Sequence, residues 1–84
     1  MKTSEVLEHF EKLTQEMNID LRYEKGDFKG GLCRVDEQQI LIINSKLLEE
    51  EKIKIFANEF GHLDLNNVYV IPAIRELIDE QNKK

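Results

Sequence analysis

The residues best placed to do chemistry in this chain lie in one stretch, Asn58-Glu59-Phe60-Gly61-His62. A His-Glu-x-x-His run on a helix sets two imidazoles one turn apart, where they bind zinc while the glutamate polarises a zinc-bound water. Here the glutamate and the second histidine keep that spacing, but Asn58 stands where the first histidine would be. An amide is a neutral oxygen or nitrogen donor, suited to hard cations and poor for zinc. Glu-x-x-His alone arises often by chance, and Asn58, Glu59 and His62 also read simply as a polar, solvated helix face. Gly61 adds weight to the stretch. A glycine inside a helix costs about 1 kcal/mol relative to alanine, so its presence suggests a tight helix–sheet contact.

The helix that carries these residues has two faces, since successive side chains advance about 100° around its axis. Ile53, Phe56, Ala57, Phe60 and Leu63 fall within one arc, which must pack on a sheet. Asn58, His62 and Ile55 fall opposite, with Glu59 at the border. Glu49-Glu50-Glu51 opens the helix, placing negative charge at the positive end of its dipole. Asp64-Leu65-Asn66-Asn67, rich in turn formers, ends it.

Upstream, Val6, Leu7, Phe10, Leu13, Thr14 and Met17 recur at helical spacing, so residues 4–17 read as an amphipathic helix. Thr3 or Ser4 is placed to cap it, and Asn18 tolerates the left-handed turn that ends a helix. His9 falls off the apolar stripe and reads as a solvated surface side chain. Residues 19–25 alternate apolar and polar, the pattern of a half-buried strand. Gly26 to Gly31 then interrupts. A glycine-rich loop can cradle a phosphate when a helix follows it; a strand follows here, so the stretch reads as a strand connection whose glycines allow a bulge or positive φ. Leu32-Cys33-Arg34-Val35 and Gln39-Ile40-Leu41-Ile42-Ile43 form a hairpin turning through Asp36-Glu37-Gln38. The second arm is apolar throughout, which places it mid-sheet or covered on both faces. Cys33 has no partner at ligand spacing and reads as a small buried hydrophobe. Asn44-Ser45 stops the strand.

After the central helix, Val68-Tyr69-Val70-Ile71 is apolar, and Tyr69 reads as a core anchor with its hydroxyl at the surface. Pro72 suits the first turn of a last helix. Ile74, Leu77 and Ile78 give that helix its apolar stripe, and Gln81 to Lys84 are expected to fray.

Taken together, Gly30-Gly31, the hairpin ending in Ile-Ile-Asn44, a short connection and Ile-Phe-Ala-Asn-Glu-Phe-Gly-His-Leu resemble the zincin-like core of the IrrE/ImmA group of metallopeptidases. That group has an "I-x-x-N" strand end followed by "F-x-x-A-H-E-x-G-H", and the likeness covers about residues 19–65. It implies metal ligands at positions 58 and 62, a catalytic role for Glu59, and a third, carboxylate ligand from a later helix. Glu59 and His62 match and Asn58 departs. Glu76 and Glu80 are the carboxylates available on the last helix, without the family's surrounding pattern.

Composition bounds the remaining possibilities. The 84 residues suffice for one domain, 1–84, with 40% hydrophobic and 35% charged residues in the range of soluble folded chains. A net charge of −5, with cations clustered only at Lys83-Lys84, argues against a nucleic-acid partner. No apolar run nears the roughly 20 residues of a membrane span and no signal peptide opens the chain, so membrane partners are not expected and a cytoplasmic setting is. One cysteine precludes an internal disulfide and fits a reducing compartment.

The expected fold is therefore α+β: an N-terminal helix, a three-stranded sheet with a hairpin, a central helix across the sheet, and a short C-terminal helix, a minimal zincin-like core. The leading functional expectation is a non-catalytic domain that binds a protein or small partner, without a cofactor. A residual zinc-dependent hydrolase using Glu59 and His62 is the alternative from a second class. A homodimeric structural domain is the third, since a thin core gains from dimer burial.

Overall fold

The computed structural model describes residues 1–83. The elements run α1 (Thr3–Glu16), β1 (Asp20–Glu24), β2 (Gly30–Val35), β3 (Gln38–Asn44), α2 (Glu49–Phe60) and α3 (Pro72–Gln81). The protein is an α+β fold, a mixed sheet with helices before and after it, as its periodicities predict.

The sheet has the order β1-β3-β2. β3 is central, as its continuous apolar run requires. It pairs parallel with β1, from Asp20–Ile40 to Glu24–Asn44, and antiparallel with β2, from Gly30–Ile43 to Val35–Gln38. The hairpin turns on Asp36 and Glu37 alone, with Asp36 at φ +57°, so Gln38 already belongs to β3. Alternation assigns the faces. Leu41 and Ile43 join the helices in one core, whereas Ile40 and Ile42 alternate to the other face of the sheet and stand outside that cluster.

Three phenylalanines form the centre. Phe10 of α1 and Phe56 of α2 stack with centroids 5.3 Å apart, and Phe60 lies 5.5 Å from Phe10. All three are fully buried, with Leu41, Ile43, Ala57, Ile74 and Ile78 around them. α1 ends as predicted at a left-handed Asn18 (φ +57°). Ile19 N–H donates to the Thr14 carbonyl (2.9 Å) and Asn18 N–H to Gln15 (3.1 Å), a Schellman closure that delivers Ile19 to the core. Neither Thr3 nor Ser4 caps α1. Lys2 holds the cap position, and Thr3 instead donates its hydroxyl to Glu49 at the start of α2 (2.7 Å).

Several side chains sit elsewhere than their sequence pattern predicts. Cys33 is exposed, because it faces the open side of an edge strand opposite Ile40. Tyr69 is 75% exposed, not a core anchor: the segment before α3 turns Val70 inward and Tyr69 outward. Ile55 is half-buried against the core, since α1 and α3 both pack on α2 and widen its buried arc. His9 is half-buried and lines a cleft of about 160 Å³ with Lys12, Tyr69 and Ile74. Gln81 closes α3 and Asn82 is held by hydrogen bonds, so the expected fraying does not begin there. Lys84 lies outside the described residues.

Candidate functional site

The candidate site is the C-terminal end of α2. Its inner face is fixed by Phe56, Ala57 and Phe60, each fully buried, which leaves Asn58 exposed and Glu59 half-buried. The α-helix stops earlier than its polar pattern suggests. Phe60 is its last residue, and Gly61 is the C-cap rather than an interior position. Beyond it, His62 N–H donates to the Glu59 carbonyl (3.0 Å) and Leu63 N–H to Phe60 (3.2 Å), both one residue tighter than α-helical bonds. His62 is therefore exposed on a turn that follows the helix.

Gly61 also explains what sequence reading missed at Asn82. A Cβ on Gly61 would occupy the space of the Asn82 amide. That amide donates to the Ala57 carbonyl of α2 (3.1 Å) and to the Ile78 carbonyl of α3 (2.8 Å). The close approach that requires glycine is thus between two helix ends, not between helix and sheet. The only signal in the sequence was the glycine itself.

Glu59 approaches Gly31 of β2. Its Oε1 lies 3.7 Å from where a Cβ on Gly31 would be. Neither Glu59 nor Asn58 nor His62 forms a side-chain hydrogen bond or ion pair among the described residues. Glu76 and Glu80 are exposed on α3, where they line a shallow surface with Ala73 and Lys83 that includes none of the α2 residues. Among the described residues, no three His, Cys, Asp or Glu side chains come together to hold a metal ion. With an amide at position 58 and the carboxylates of α3 elsewhere, the side chains present do not fit a catalytic zinc, which needs three good protein ligands.

A second polar cluster is far better ordered. Asn44, at the end of β3, is 7% exposed. Its amide nitrogen donates to the Gly26 and Phe28 carbonyls (2.8 and 2.7 Å), and its Oδ1 accepts from Lys46 N–H (3.0 Å). One side chain thereby fixes the loop entering β2, where Gly30 takes φ +144°, and the turn leaving β3. On the helix side of β1, the Tyr23 hydroxyl donates to the Glu11 carboxylate of α1, and the Lys52 ammonium of α2 lies 5.5 Å from the Tyr23 ring centre. Partial burial, then the Glu11 hydrogen bond and charge, pushes the Tyr23 phenol well above its ordinary range. No helix among the described residues is long and apolar enough to cross a membrane. Compared with known proteins, the chain matches no family model, no curated protein and no solved structure.

Proposed function

We propose that this chain is a non-catalytic binding domain on a zincin-like frame, acting by holding a protein or small-molecule partner. One observation carries the reading: the groups a zinc hydrolase needs are present only in part and are not assembled. Asn58 offers an amide, His62 lies past the end of α2, and Glu76 and Glu80 stand apart on α3. Glu59 remains free to contact a ligand, being half-buried and without an ion-pair partner among the described residues. The setting we assign is the cytoplasm, since the single exposed Cys33 fits a reducing compartment.

The test is metal content. Protein purified without chelator and dialysed against zinc should retain far less than one equivalent, and His62→Ala should leave that value unchanged. Stoichiometric zinc that His62→Ala abolishes would restore the residual-hydrolase reading and overturn this one.

A further inference from the structure

We infer that the partner is a second copy of this chain, joined edge to edge through β2 about a two-fold axis centred on Leu32. The inference rests on the binding reading above and names its partner.

The two edges of the sheet differ. β1 presents Asp20, Arg22 and Glu24, with Arg22 paired to Asp20 at 2.9 Å, a charged edge of the kind that discourages strand addition. β2 presents Gly30-Gly31-Leu32-Cys33-Arg34-Val35, with one charge, and among the described residues no other strand pairs with its outer side. Backbone alternation sets which groups are free there. Asn44 N–H donates to the Lys29 carbonyl (2.9 Å), so the hydrogen-bonded pairs along the hairpin continue as Gly31–Ile42, Cys33–Ile40 and Val35–Gln38. Leu32 and Arg34 consequently turn their N–H and C=O groups outward.

Charge selects the occupant and the register. A two-fold axis across an antiparallel pair must pass through a residue opposed to its own copy. Centring on Arg34 would set like charges face to face. Centring on Cys33 would set Arg34 against Leu32 of the second copy. Centring on Leu32 pairs the outward-facing Leu32 residues and brings Arg34 opposite Gly30 of the other copy, a position with no side chain to obstruct it. Beside that glycine, at Gly31, lies the Glu59 carboxylate. Arg34 is exposed, and neither it nor Glu59 has an ion-pair partner among the described residues. By symmetry the contact forms twice, and the sheet becomes six-stranded.

Sedimentation equilibrium of the full chain across micromolar to millimolar concentration tests this, with circular dichroism confirming that each variant is folded. The wild type should show a monomer–dimer equilibrium. Arg34→Glu and Glu59→Arg should each raise the dimer Kd by about tenfold, as expected for two partly exposed ion pairs converted to repulsions. The double variant, with the charges exchanged, should recover most of the wild-type Kd. A wild type that stays monomeric throughout overturns the proposal, as does a dimer indifferent to both single variants or one not rescued by exchange. A monomer whose β2 amide resonances shift on adding an extended Lys/Arg-containing peptide would instead assign the edge to another chain. None of these outcomes depends on zinc content, so the two readings fail separately.

Discussion

The end of β3 at Asn44 and the end of α2 at Asn58 to His62 are both polar termini of core elements, and the fold uses them in opposite ways. Asn44 is buried, and all its hydrogen-bonding positions but one lone pair are spent on three backbone partners. Asn58 and His62 are exposed and bond nothing within the described chain. The difference is one of available partners. At the strand end Asn44 meets the backbone of Gly26, Phe28 and Lys46, whereas Asn58 and His62 have no side-chain hydrogen-bond partner among the described residues. Polarity at the first site holds the fold together; at the second, Asn58 and His62 are left exposed.

Substitutions can break or sharpen that contrast. The largest effect belongs not to the polar groups of either terminus but to the packing beneath them. Phe60→Ala should destabilise the protein by about 3–5 kcal/mol in urea unfolding, since a fully buried ring in contact with Phe10 and Phe56 leaves a cavity. Asn44→Ala should cost about 2–3 kcal/mol, because it removes the hydrogen bonds that a buried side chain makes to the Gly26 and Phe28 carbonyls and from the Lys46 amide. Hydrogen exchange should accelerate across residues 26–30 in the same variant. A cost for Asn44→Ala as small as that of a surface change would erase the distinction between the two termini.

Gly61→Ala comes next, at about 1–2 kcal/mol, as the new methyl displaces the Asn82 amide from the Ala57 and Ile78 carbonyls. In an Asn82→Ala background the same change should cost almost nothing, a non-additivity that a double-mutant cycle measures directly. The smallest effect is reserved for Asn58→Ala, which should alter stability by less than about 0.5 kcal/mol because the side chain is exposed and unbonded.

Much of the architecture was legible from periodicity. The three amphipathic helices, the hairpin, the central placement of β3 and the left-handed Asn18 all follow from local pattern and turn chemistry. Those signals are carried by neighbours in sequence, which is why they survive without tertiary information. Asn58, Glu59 and His62 were also legible as a polar strip opposite Phe56, Ala57 and Phe60. Their spatial relation to Glu76 and Glu80 was not, because the placement of α3 depends on contacts with α1 and α2 that no spacing rule encodes. Cys33 and Tyr69 show the same limit. Each has a composition suited to burial, and each is exposed because its element lies at an edge or turns outward.

By itself, then, the sequence determined which residues make helices and strands, which stripe of each is apolar, and that α2 would end in a polar run with an amide at position 58. Only the tertiary structure decided that β1 runs parallel to β3, that α2 stops at Phe60, and that Gly61 makes room for Asn82. It also decided that Asn44 is an anchor while Asn58 is not. The physical reason is common to all of these: a polar group is structural or available according to the partners that distant parts of the chain bring to it, and those partners are set by packing rather than by local propensity.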